Sequence, residues 1–373
     1  QRQMCIRDRS SREQKKQIKK QKGDVRMKAA VMYGPNDIRV EEVQRPECPA
    51  GGLLLKVKAI GLCGSDIRNL TTDSRKGDYP HIYGHEVVGE VAEVSPEADT
   101  YAVGDRLYVY PVEHCLKCEA CRSGHSENCE NAGDYANRQG GFADYLPVPP
   151  EQLNADAVYP IPDGVDYKSA SLGEPLSSVY ACQENINVTL GDTVVIIGAG
   201  PIGCFHSQLA KIRGAGKVIM VEINDKRLET AKQFGVDYTV NSTKEDPVEA
   251  VKRLTGGRGA EKVISANPST AAQSQAVFMA KKGGIIVFFG GVAKGAVTEI
   301  DSNYIHYNSL WIYGHYGANS MQVQKSYELA ISDAFPTEKF ITHVLPLSEI
   351  QKGIELTKTG EAIKVVLLPN EEE

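Results

Sequence analysis

"DTVVIIGAGPIG", residues 192–203, is the stretch whose reading decides the fold. Thr193 to Ile197 is a β-branched apolar run of strand length, and it enters Gly198, Gly200 and Gly203 in G-x-G-x-x-G spacing. Pro201 and Ile202 lead into "FHSQLAKIRGAG", which reads as a helix closed by glycine. A glycine-rich turn alone is often only a packing device. A strand before it, a helix after it, and Glu222 ending the next strand nineteen residues past Gly203 make the context of a dinucleotide site.

Each residue type there has a physical task. The first glycine permits the turn, the second lets backbone N–H groups approach a pyrophosphate, and the third lets helix and strand close together. The helix N-terminus adds its positive end. Glu222 would accept hydrogen bonds from ribose hydroxyls and repel a 2′-phosphate, so NAD is favoured over NADP. Lys226 and Arg227 follow on the next helix, either as a solvated face or as cofactor contacts, and Arg227 counts among the candidate cofactor residues with Pro201 and Ile202.

Outward from this motif the alternation continues. "KVIMVE", "DYTVN", "KVISAN", "IIVFFGG" and "LWIYG" read as strands, separated by the helical stretches "KRLETAKQFG", "PVEAVKRLTG" and "TAAQSQAVFMAKKG". Such a rhythm means a parallel, doubly wound sheet. Upstream, from Lys28 to about Tyr145, "LLLKVKAIG", "EVVGEVAEVS" and "DRLYVYP" are short, β-like and punctuated by Gly, Pro and Asp, as in a compact antiparallel barrel. Downstream, "QVQKSYELAIS" and "LSEIQKGIELTKTG" read as helices, the second with Ser348 and Gln351 at capping-box spacing and Gly360 as its stop, and "IKVVLLP" as a last strand. The chain's 373 residues exceed one ordinary core. No apolar run approaches membrane-span length.

Charge is uneven. Residues 1–26 carry ten Lys or Arg against three Asp or Glu, so the chain's −6 leaves about −13 for the remainder. That segment reads either as a basic arm for nucleic acid or as a leader ahead of a natural start at Met27, and it is set aside from the fold. The nine cysteines, an odd number without a signal-peptide pattern, argue for a reducing cytoplasm where thiols are free or metal-bound. Four of them, Cys115, Cys118, Cys121 and Cys129, have C-x2-C-x2-C-x7-C spacing. Four thiolates complete a tetrahedral zinc shell with no open position, so this site is structural. A second constellation is Cys63 in "GLCGSD", His85 and Glu86 in "YGHEVVGE", and Glu174 in "LGEPLSSV". Thiolate, imidazole and carboxylate are donors zinc accepts, and three protein ligands plus water make a catalytic site.

Taken in order, "GLCGSD", "GHEVVGE", the four-cysteine lobe, "GGFADY", "EPLSSV" and "GAGPIG" resemble a zinc-containing medium-chain alcohol dehydrogenase. "GHE" with "EPLS" resembles its polyol branch, that of sorbitol (L-iditol) dehydrogenase. The resemblance implies a GroES-like catalytic domain, residues 27–177 with 316–373, and a Rossmann NAD-binding domain, residues 178–315. It implies two Zn2+ per subunit, one catalytic on Cys63, His85 and Glu86, with Glu174 holding the zinc water or entering the shell. Ser65 falls where the family keeps a hydroxyl close to the reacting alcohol. Three residues later relatives usually carry histidine, the outer end of a proton relay, and this chain has Arg68. Arginine takes no proton at neutral pH, so the proton leaves by water, Glu174 or another route, and Arg68 either holds an anionic group or makes a surface salt bridge.

These readings predict oxidation of a secondary alcohol of a sugar alcohol to a ketose by hydride transfer to NAD. The alternatives are threonine 3-dehydrogenase or a sugar-phosphate dehydrogenase. Tyr83, Tyr108, Tyr110, Tyr135, Asn137 and Arg138 are candidate substrate contacts, each of which packing also explains. A nucleic-acid-binding zinc protein is the reading from another class, weakened by a lobe, "EHCLKCEACRSGHSENCE", that is not strongly basic. Relatives pair their last sheet strands, here around "LWIYG", into homodimers and often homotetramers.

Overall fold

The computed structural model describes residues 25–72, 76–133 and 138–370. The basic stretch up to Asp24, and Tyr135 and Asn137, lie outside the described residues.

The N-terminal part is antiparallel. Strand β1 (Arg26–Gly34) begins one residue before Met27 and pairs with β2 (Asp37–Gln44). β3 (Leu53–Gly61) is a run of nearly continuous burial, as a strand covered on both faces requires. Helix α1 (Gly64–Thr71) leaves its end at once, with Cys63 as the N-cap residue. β4 (His81–Ile82) pairs with β1. β5 (Glu86–Val94) then lies antiparallel to β3 with Glu86 opposite Gly61. β6 (Arg106–Val109) and β8 (Val158–Pro160) extend that sheet, and β7 (Tyr145–Val148) pairs with β3.

Helix α2 (Gly173–Asn185) leads into the alternating part: β9 (Thr193–Ile197), α3 (Pro201–Ile212), β10 (Lys217–Glu222), α4 (Asp225–Ala231), β11 (Tyr238–Asn241), α5 (Pro247–Leu254), β12 (Ala260–Ser265), α6 (Thr270–Met279), β13 (Ala280–Phe288), α7 (Ser302–Tyr307) and β14 (Trp311–Gly314). The strands form one parallel sheet in the order β11-β10-β9-β12-β13-β14. The order reverses between β9 and β12, which opens a crevice at their carboxyl ends, beside Gly198. The expected long helix over residues 270–283 stops at Met279. Ala280 turns extended to pair with Ala260, so β13 begins there.

α8 (Ser320–Ala330) follows the sheet, and the chain returns to the first part through β15 (Ile341–Pro346), α9 (Ile350–Thr359) and β16 (Lys364–Leu368). β16 joins β3 antiparallel, with Val366 opposite Gly61. The capping box expected at Ser348 does not form. A 3-10 turn covers Leu347–Glu349, and the Gln351 amide donates instead to the Ile38 carbonyl of β2. Gly360 ends α9 with φ 75°, as a left-handed cap.

One core cluster runs through both parts: Tyr108 of β6, Val179 and Cys182 of α2, and Val194 and Ile196 of β9 are all fully buried within it. No described helix is long and apolar enough to cross a membrane.

Candidate active site

Cys63, His85 and Glu86 are far apart in sequence, and the sheet brings them together. β3 and β5 pair at Gly61 and Glu86, α1 starts at the end of β3, and His85 immediately precedes β5. One ligand atom from each of Cys63, His85 and Glu86 lies within 4.8 Å of the others. Gly61 is required for this approach, because a Cβ there would fall 1.7 Å from Glu86 Oε2.

Two further groups position these side chains. Asp66, buried in the first turns of α1, accepts from the Cys63 amide with Oδ2 at 3.1 Å and lies 3.1 Å from His85 Nδ1 with Oδ1. An ionised carboxylate only accepts, so Nδ1 donates to Asp66 and Nε2 is the nitrogen left to face a metal. Lys364, buried on β16, bonds Glu86 Oε1 at 2.5 Å and the Leu62 carbonyl at 3.3 Å. Glu86 Oε2 is buried and has no hydrogen-bond partner. Both positioning residues escaped the sequence reading. Asp66 stood in the quoted "GLCGSD" without a role, and Lys364 was the one charge in an apolar strand, which is itself a signal.

Glu174, at the start of α2, places Oε2 3.9 Å from His85 Nε2. Burial, with the charge of Glu86 adding, lifts its carboxyl to about 7 against the pull of His85. Burial opposes a proton on His85, but the Asp66 and Glu174 carboxylates outweigh it and raise the imidazole well above its ordinary value. Burial likewise opposes the Lys364 charge, and Glu86 more than restores it. A carboxylate oxygen without a partner beside a thiol and an oriented imidazole is a donor set that fits a divalent cation.

The cysteine lobe fits one too. Bonds of 2.3 Å to four tetrahedral sulfurs set the S–S separation at about 3.8 Å. Cys115 and Cys121 are 4.0 Å apart, Cys118 and Cys129 3.9 Å, and all four lie within 4.8 Å. Amides of Lys117 and Cys118 point at Cys115 Sγ from 3.4 and 3.3 Å and lower its thiol to about 6. Backbone donors lower Cys118 as well, whereas burial and neighbouring sulfurs push Cys121 up to about 12. A cation among them would draw all four to thiolate. The eight described cysteines form no disulfide.

A cavity of about 380 Å³ opens beside His85, lined by Ser65, Arg68, Tyr83, Glu113, Arg138 and Tyr316 among others. Glu113, buried, pairs with Arg138. Tyr108 and Tyr110, expected as substrate contacts, do not line it. Tyr108 clusters with Tyr327 and Tyr159, because β6 turns its ring toward the core, and Tyr110 just past β6 is buried in the same core with its carbonyl accepting from Gln152.

At the glycine motif, Gly198 has φ 112°, and a Cβ on Gly203 would stand 1.8 Å from the Gly198 carbonyl oxygen. A Cβ on Gly200 would meet open space. Strand and helix therefore touch at Gly203, while room over the α3 N-terminus remains for a pyrophosphate. Pro201 is the first helical residue, and Ile202 packs on the core. Glu222 Oε2 accepts from the Ala199 amide at 2.9 Å, and Oε1 from Ile223 and Asn224 at 2.8 and 3.2 Å, which fixes the carboxylate at the crevice. Arg227 lies against Gly360 at the end of α9.

Comparison with known proteins agrees with this layout. Residues 49–163 match the alcohol dehydrogenase GroES-like domain, and residues 201–332 match the zinc-binding dehydrogenase family. The chain is 32% identical over 353 residues to a sorbitol dehydrogenase of Bacillus subtilis, covering 92% of this chain and 98% of that one. It is 34% identical to an L-threonine 3-dehydrogenase of the same organism over 88% and 94% of the two chains. Among solved structures, an alcohol dehydrogenase from Thermus sp. ATN1 superposes with a TM-score of 0.83 at 27% identity, covering 92% of this chain and 99% of that one. The chain therefore belongs to the zinc-binding medium-chain alcohol dehydrogenase family.

Proposed function

We propose that this protein is a zinc- and NAD-dependent dehydrogenase that oxidises a secondary hydroxyl of a polyhydric alcohol to a ketone. The observation that carries the reading is the unpartnered Glu86 Oε2 beside Cys63 and His85, at the edge of a polar cavity. With zinc and NAD bound, the metal would acidify a coordinated hydroxyl, and the carbinol C–H bond would give its hydride to nicotinamide C4.

The chain's own residues supply position and charge. Asp66 orients His85, Lys364 holds one Glu86 oxygen so that the other faces the ligand space, and Ser65, which lines the cavity, would help pass the hydroxyl proton outwards. Glu174, lifted to about 7, is suited to exchange that proton near neutrality. Glu222 supports NAD over NADP through its fixed negative charge. Residues 27–177 with 316–373 would form the catalytic domain and 178–315 the cofactor domain, with reaction in the cleft between them. The cysteine lobe would hold a second, structural zinc, and free thiols suit a cytoplasmic protein.

The test is reduction of NAD+ and NADP+ followed by absorbance with sorbitol, xylitol, ribitol, L-threonine and simple secondary alcohols, before and after chelation. Chelator-sensitive, NAD-linked oxidation of a polyol is expected. Turnover confined to L-threonine, the substrate in the name of a 34% identical relative, would replace the polyol reading.

A further inference from the structure

The charged groups lining the cavity pair off, except one. Asp66 is committed to His85 and the Cys63 amide, and Glu113 is committed to Arg138. Arg68 also lines the cavity, three residues after Ser65 on α1, and its guanidinium makes no ion pair or hydrogen bond among the described residues. The salt-bridge role left open for it is therefore absent there. A guanidinium offers five donors and no acceptor, so it satisfies a group that only accepts, and it cannot take up a proton. Gln139 and Gln152, which also line the cavity, offer amide oxygens to neutral hydroxyls, so the guanidinium is the group that calls for an anionic partner.

Helix α1 also sets a distance. From Cys63 to Arg68 the helix rises about 7–8 Å, which places a group held at Arg68 several bonds away from a hydroxyl held at Cys63. We propose that the substrate carries an oxyanion, a phosphate monoester or a carboxylate, remote from the reacting hydroxyl, and that Arg68 is its anchor. The inference rests on the dehydrogenase reading and narrows it to acidic polyhydric substrates. The oxyanion is a handle, unchanged by the reaction.

The test pairs sorbitol with sorbitol 6-phosphate and with gluconate, and adds L-threonine, in kcat/KM measurements on the wild type, R68Q and R68K. Wild type should favour one acidic member by about 10- to 100-fold, mainly through KM, with R68Q losing that ratio and R68K keeping part of it. Preference for phosphate over carboxylate, or the reverse, identifies the oxyanion. Calorimetric binding of sorbitol 6-phosphate and gluconate to the zinc-loaded protein, wild type and R68Q, reads the anchor without turnover. Binding that R68Q abolishes supports the anchor even where no alcohol is oxidised, in which case the dehydrogenase reading alone fails. Equal use of neutral and acidic partners, an unchanged ratio in R68Q, or no binding of either acidic probe overturns the proposal.

Discussion

Lys364 and Glu86 form a fully buried ion pair beside a candidate metal site, an arrangement whose cost depends on what else is present. Removing one partner of such a pair leaves an uncompensated charge and costs about 3–5 kcal/mol. K364M should therefore lose about that much stability in metal-free protein by denaturant titration. Zinc should restore part of the loss, because the cation takes over neutralisation of Glu86. An equal loss with and without zinc would mean that Glu86 does not face the ion. At this scale the sequence was readable by donor type: thiols, imidazole and carboxylates at family spacing stood out, and the structure gathers Cys63, His85 and Glu86. The groups that aim them were not readable, because Asp66 and Lys364 act through burial and partners that only the β3, β5 and β16 pairing creates. Tyr108 misled for the same reason, since strand facing decides between cavity and core.

At the level of elements, the turn between β9 and α3 offers a paired prediction. G203A forces the helix away from the Gly198 carbonyl, so both stability and dinucleotide affinity should fall, the Kd rising by at least about tenfold. G200A points a methyl into open space, so affinity alone should fall while the melting temperature holds. Fluorescence titration with NADH and a thermal melt on each variant check the pair, and identical profiles would contradict it. Strand and helix identities in this half were legible because β-branched runs and glycine stops alternate regularly. The end of α6 was not, since Ala280 and Lys281 suit a helix locally and become strand only by pairing with β12. Ser348 failed as a cap because it lies inside the 3-10 turn Leu347–Glu349, which moves the start of α9 to Ile350 while the Gln351 side chain reaches across to β2.

For the whole molecule, β14 closes one edge of the parallel sheet with Trp311 71% exposed on it. An apolar open edge favours pairing with another chain. Light scattering coupled to size-exclusion chromatography should report a dimer or tetramer, and W311K should shift it toward monomer. A wild-type monomer at micromolar concentration would refute the edge as an interface. The two-part layout was visible in the change of rhythm after Glu174, but the shared core through α2 was not, because no local pattern reports which helix two sheets will both use.

The return of β16 to β3 has a consequence for synthesis. A ribosome has already released Cys63, His85, Glu86 and Glu174 from its tunnel before Lys364 is made. Until β16 docks, Glu86 lacks its buried ammonium partner, so metal capture by a nascent chain proceeds without the group that aims one ligand oxygen. Completion of the last strand would thus be a late step in shaping the site, and a chain truncated after Gly360 would keep Asp66 and each candidate ligand while losing the ammonium that aims Glu86.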